Sequence, residues 1–103
     1  MKNKSIFKLI GLMHVSSSLV YGFDSIMNII FTSKLKCIIV GSSSSLKTIK
    51  RIQDKALTYN KELFIVDESD YTIAQALGKE NVKIIGLTDQ GFYKKIKLIA
   101  QGE

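Results

Sequence analysis

Apolar residues recur along this chain with the spacing of one-faced helices, and short apolar runs interrupt that spacing. Ile6, Leu9, Ile10 and Met13 fall at i, i+3, i+4 and i+7, which predicts a first helix from about Asn3 to His14. A loop at Ser16-Ser17-Ser18 follows, and Leu19-Val20-Tyr21 reads as a short extended piece ending at Gly22. A second helix is predicted from about Phe23 to Thr32, with Ile26, Ile29 and Ile30 turned to the core. Lys36 to Val40 has the continuous apolar character of a buried strand. Leu46, Ile49, Ile52, Gln53 and Leu57 mark a long third helix whose other faces carry Lys47, Lys50, Arg51 and Lys55. A strand from Leu63 to Val66 comes next, then a short helix from Tyr71 to Leu77 closed by Gly78, which suits a left-handed cap.

The last unit, VKIIGLTDQGF from Val82 to Phe92, is the most informative. Its apolar run is too short for a buried helix and reads as a strand covered on both faces. Thr88 or Asp89 can cap the helix that follows, because a short side-chain oxygen accepts from the free amides of the first turn. In that helix Phe92, Ile96 and Ile99 repeat at i, i+4 and i+7, with Lys94, Lys95 and Lys97 on the other faces. Helices alternating with strands at these spacings predict an α/β fold, a three-layer α/β/α sandwich around a small mixed, largely parallel sheet. Residues 1–103 read as a single domain, with no internal repeat and no linker.

Composition narrows the setting. A single cysteine precludes an intramolecular disulfide and points to a reducing cytoplasm. Lys and Arg outnumber Asp and Glu by 15 to 9, for a net charge of +6 and a pI near 9.5, which favours polyanion partners. The basic, apolar start resembles a signal peptide, but Lys8 breaks the run and the helical spacing of its apolar residues assigns it to a core. No apolar run approaches the ~20 residues that span a bilayer, so no membrane partner is expected.

Candidate chemistry is sparse. GSSSSLKT, Gly41 to Thr48, nearly matches the phosphate loop G-x-x-x-x-G-K-[ST], but Leu46 stands where the second glycine is needed, and the stretch reads as a serine-rich connection with a capping serine. Cys37 lies inside an apolar strand as a packing thiol. His14 is the sole histidine, so no metal site is read, and no cofactor is called for. Asp67, Glu68 and Asp70 suit the start of the Tyr71 helix, where carboxylates offset the macrodipole. No nucleophile, base and orienting group fall together, so the chain is read as non-enzymatic.

Three segments, GLMHVSSSLVYGFDSIMNII, KCIIVGSSSS and ALGKENVKIIGLTDQGFYKKI, resemble in order and spacing the bacterial YlxQ proteins. These belong to the ribosomal protein superfamily of L-seven-Ae and L-thirty-e type, many of whose members bind kink-turn RNA. The likeness runs from about Lys4 to Ile99, and Thr88-Asp89-x-Gly91-Phe92-x-Lys94-Lys95 is its most specific piece. The resemblance implies the same α/β/α sandwich.

It also implies where RNA would be gripped. In the superfamily a Gly-x-Asn-Glu-x-x-Lys pattern at the start of the second helix reads guanine edges and meets phosphate, and a second loop covers an extruded base. On that pattern this chain has Gly22, Asp24, Ser25 and Asn28. Gly22 matches; Asp24 keeps an acceptor but loses the amide donor, Ser25 loses the carboxylate, and Asn28 loses the charge. Val15 and Ser18 stand where YlxQ proteins commonly carry an arginine and a lysine, and the second loop corresponds to Lys79-Glu80-Asn81-Val82. Lys34, Lys36, Lys79 and Lys83 are the lysines expected to neutralise phosphates. The resemblance thus implies binding of structured RNA, kink-turn-like or ribosomal, with weakened motif specificity, in the setting of the ribosome or the translation or transcription machinery. The alternative is a protein-interaction module of the same fold that has lost RNA recognition.

Overall fold

A computed structural model describes residues 4–102. The elements run α1 (Ser5–Val15), β1 (Leu19–Tyr21), α2 (Phe23–Met27), β2 (Cys37–Gly41), α3 (Leu46–Thr58), β3 (Glu62–Val66), α4 (Ile73–Leu77), β4 (Ile84–Leu87) and α5 (Gln90–Gln101). Every predicted element is present; the Asn3 start expected for the first helix lies outside the described residues.

The four strands form one sheet in the order β1-β4-β2-β3. It is mixed, as expected, but its pairing is not largely parallel: only β2 and β3 pair parallel, whereas β4 runs antiparallel to both β1 and β2. The reason is the place of one strand. β1, β2 and β3 share a direction, as alternation with helices demands, but β4 returns the other way and slots between β1 and β2.

Strand side chains alternate between the two faces. Cys37, Ile39, Phe64, Val66, Ile85 and Leu87 pack against Ile6, Ile10 and Met13 of α1, Ile73 and Leu77 of α4, and Ile96 of α5. Ile38, Val40 and Ile84 point the other way, onto Ile26 and Ile30, the loop residue Leu35, and Ile52 and Ala56 of α3. Helices therefore cover both faces, which is the predicted sandwich. Close approach at the second face needs Gly86, where an added Cβ would come within 2.8 Å of Leu35 and 2.9 Å of Val20.

Two elements are shorter than their periodicity predicts. α2 ends at Met27, and the chain continues to Thr32 in tight turns, with Ile29 N donating to Ile26 O (3.1 Å) and Thr32 N to Ile29 O (2.9 Å). Ile30 still reaches the core, so the apolar spacing survives without a regular helix. α4 starts at Ile73, because Thr72 and Gln75 form a reciprocal capping box ahead of it.

The acidic cluster resolves into one structural residue. Glu68 is buried; its Oε1 accepts from Ser43 N (3.2 Å) and Ser43 Oγ (2.6 Å), and its Oε2 accepts from Ile73 N (2.8 Å). It ties the β2–α3 loop to the start of α4, and a side chain at Gly41 would overlap its carboxylate. The serine-rich loop is thereby a structural connection, with Ser45 capping α3 by accepting from Thr48 N (3.1 Å). Burial, aided by the charge of Glu62, pushes the Cys37 thiol up to about 12, as befits a packing residue. Among the described residues no helix is long and apolar enough to cross a membrane, and no group of His, Cys, Asp or Glu is placed to hold a metal.

Candidate functional site

Gly22 opens α2 with φ 85° and ψ 164°, a conformation essentially confined to glycine. The requirement is geometric: β1 must end and α2 must begin within one residue while Gly22 N still donates to Ile84 O (2.9 Å). That bond fixes the start of α2 beside the start of β4. The loop entering β4 is set from its other side by Gly78, whose left-handed conformation (φ 67°) ends α4 while Lys79 N donates to Ala74 O (3.0 Å). Asn81 is also left-handed, at φ 59°, a conformation its short polar side chain tolerates.

Between these two segments lies a cleft of about 490 Å³. Tyr21, Phe23 and Val82 give it apolar walls, Thr48 lines it from α3, and Asn81 and Lys83 stand in the loop that borders it. The Lys79 ammonium sits 4.9 Å above the Tyr21 ring. Tyr21 is held from behind by a hydrogen bond between its hydroxyl and Nδ1 of His14, and burial raises its pKa above the usual phenol value. Lys83 reaches Ser43 O at 3.5 Å, and its own carbonyl accepts from Gly41 N (2.8 Å). Asp24 and Ser25 are exposed on α2 and Asn28 is exposed just past its end, while Ile26 anchors the inner face of the helix.

The structure thus gathers Gly22, Lys79, Asn81 and Lys83 at one end of the sheet, with Asp24 and Ser25 on the short helix that starts there and Asn28 capping that helix's other end. It separates Lys34 and Lys36 from that group. Lys36 N donates to Leu87 O (2.7 Å), at the far end of β4 from Ile84, and its ammonium is turned back onto Ser33 O (2.7 Å). Three residues of extended chain, about 10 Å, divide the two ends. Lys34 lies in the same far turn, where its N–H donates to Thr32 Oγ1 (3.2 Å). The same end holds Ser18, which is buried and whose carbonyl accepts from Thr88 N (2.9 Å). Val15 is exposed where α1 ends, in the turn that leads to Ser18.

Sequence reasoning missed the aromatic walls and one cation. Tyr21 and Phe23 bracket Gly22 in the chain, a visible signal once Gly22 is singled out. Arg51 of α3 stacks on the Phe23 ring at 3.8 Å, and only the fold brings the two together. A larger hollow of about 580 Å³ lies between α1 and the β3–α4 loop, beside Phe7 and Tyr71; none of the residues expected to meet RNA lines it.

No family model matches the chain. It is 30% identical over 90 residues to the RNA-binding protein YlxQ of Bacillus subtilis (strain 168), covering 87% of this chain and 89% of that protein. It is 33% identical over 94 residues to the RNA-binding protein YlxQ of Enterococcus faecium, covering 91% and 89%. Among solved structures, a protein of unknown function from Bacillus halodurans C superposes with a TM-score of 0.83 at 22% identity, over 96% of this chain and 99% of that one. The Giardia lamblia 15.5kD RNA binding protein superposes with a TM-score of 0.76 at 6% identity, over 94% and 85%. The structural likenesses establish a shared fold, and the sequence identities, sustained over nearly the whole length, go further: the chain belongs to the YlxQ family.

Proposed function

We propose that this chain is a non-enzymatic RNA-binding protein that grips structured RNA between the start of α2 and the Lys79–Lys83 loop. One observation carries the reading. Two segments nearly sixty residues apart, which the family resemblance assigns to RNA, flank a single apolar-walled cleft. The naming of the YlxQ relatives as RNA-binding proteins supports the same conclusion.

Each group has a task that its chemistry permits. The cleft between Tyr21, Phe23 and Val82 accommodates an extruded base, which aromatic and apolar walls hold by stacking and contact. Asp24 accepts from a guanine edge, and Lys79 and Lys83 meet phosphates. With Ser25 and Asn28 in place of a carboxylate and a lysine, shape and charge outweigh the reading of G·A pairs. The RNA is kink-turn-like or ribosomal in class, and the ribosome or the translation or transcription machinery is the natural setting.

The test is fluorescence anisotropy with a labelled kink-turn RNA and a copy whose G·A pairs are disrupted. Both should bind, the intact RNA only a few-fold tighter. Two phosphates neutralised by Lys79 and Lys83 should contribute about −1.5 to the log-log salt slope. Absence of binding to either RNA at low salt would sink this reading and leave the protein-interaction module.

A further inference from the structure

Arg51 is a cation that neither the sequence pattern nor the family resemblance places at the cleft. It follows Thr48, which lines the cleft, by three residues, so both lie on the same side of α3. Its guanidinium carbon sits 3.8 Å over the centre of the Phe23 ring, at the first residue of α2. Stacking occupies the flat face of a guanidinium and leaves its edge donors pointing outward. Among the described residues no hydrogen bond or ion pair engages those donors, and the side chain is exposed. The chain therefore holds an uncommitted guanidinium over the start of α2, while Asn28, where the family pattern has a lysine, caps the other end of that helix.

We propose that Arg51 is a third phosphate-gripping residue of this interface, beside Lys79 and Lys83, supplying from α3 the charge that Asn28 no longer provides at the end of α2, with Phe23 as the plate that orients it. The inference rests on the RNA-binding reading above. An ammonium at residue 28 would sit on a flexible stem as a point charge, whereas the stacked guanidinium offers two parallel N–H donors to one phosphate. The exchange moves the positive charge from the end of α2 to its start and makes its direction depend on an aromatic residue of another element.

The experiment compares Arg51→Gln, Arg51→Lys and Phe23→Leu with the wild-type chain, measuring affinity for the kink-turn RNA across a salt series. Lys97→Gln on α5 serves as a matched loss of one charge. With Arg51 engaged, the wild-type slope steepens to about −2.4, and Arg51→Gln returns it to about −1.5 with affinity down about tenfold. Arg51→Lys should keep the slope and lose a few-fold in affinity, because it disturbs orientation and not charge; Phe23→Leu should keep the slope too, with a loss of affinity that includes the cleft wall it removes. Arg51→Gln binding like the wild type, or like Lys97→Gln, would overturn the assignment while leaving RNA binding intact. Absence of RNA binding by the wild-type chain would overturn the underlying reading instead. Because Arg51 is exposed, thermal unfolding of the Arg51 variants should match the wild type.

Discussion

Glu68→Gln should destabilise the fold out of proportion to a change of one atom. The carboxylate offers an acceptor to each of two loops, Oε1 to Ser43 and Oε2 to Ile73 N. A glutamine has one carbonyl oxygen and one NH2. If the oxygen faces Ile73, the NH2 is pressed against Ser43 N–H; if it faces Ser43, the buried Ile73 N–H meets a donor. Either arrangement leaves a backbone N–H without an acceptor, which costs about 2 kcal/mol. For a domain of this size that lowers Tm by about 8 to 16 °C. Urea titration followed by circular dichroism should show a lower midpoint at unchanged slope. Asp70→Asn is the internal control: Asp70 is exposed, and its change should stay within about 0.5 kcal/mol. Equal stability of the two variants would refute the claim that Glu68 ties the loops together, and would restore a diffuse charge effect of the acidic cluster.

Four further outcomes follow from the packing and the site. Cys37 should resist thiol reagents at pH 8 and react only on unfolding; with its pKa raised from 9.0 to about 12, its protonated form favours folding below pH 9, and that contribution is lost as pH rises between the two values. Cys37→Ala should cost about 1 kcal/mol and leave RNA binding unchanged, and a loss of binding in the folded variant would give the thiol a role beyond packing. Gly86→Ala, whose Cβ would press on Leu35, Val20 and Ile26, should lower stability by about 1 to 3 kcal/mol, and an unchanged unfolding midpoint would show that the face beneath α2 is looser than its contacts indicate. The triple change Asp24→Asn, Ser25→Glu, Asn28→Lys restores the superfamily pattern on an exposed surface and should tighten binding to an intact kink-turn about tenfold or more; equal binding to the disrupted RNA would show that this turn does not read G·A pairs.

Much of the fold was legible because burial writes itself into spacing. Ile6, Leu9, Ile10 and Met13 are all buried, as their helical repeat requires, and the apolar runs around Ile38 and Ile85 are covered on both faces. Pairing was less legible. The alternation of helices and strands sets the common direction of β1, β2 and β3, but no local pattern says that β4 enters between β1 and β2. The end of α2 was hidden for a related reason: tight turns carry Ile29 and Ile30 inward with nearly the spacing of a helix.

At the site, Gly22 was legible through the superfamily pattern, whose glycine its positive-φ backbone requires, and the fold brings Asn81 and Lys83 to the same cleft. Lys34 and Lys36 are close to α2 in sequence yet lie at the far end of the sheet, since the turns after Met27 carry the chain along the length of β4. Sequence distance and spatial distance part company there. Arg51 is the reverse case: twenty-eight residues from Phe23 and stacked upon it.

That division of the lysines gives the central claim its most direct measurement, an NMR titration of the labelled protein with a kink-turn RNA. Amide shifts should concentrate at Gly22 to Ser25 and Lys79 to Lys83, with Ser33 to Lys36 at the other end of β4 left in place. Shifts confined to Ser33 to Lys36, or none anywhere at a large excess of RNA in low salt, would contradict the account.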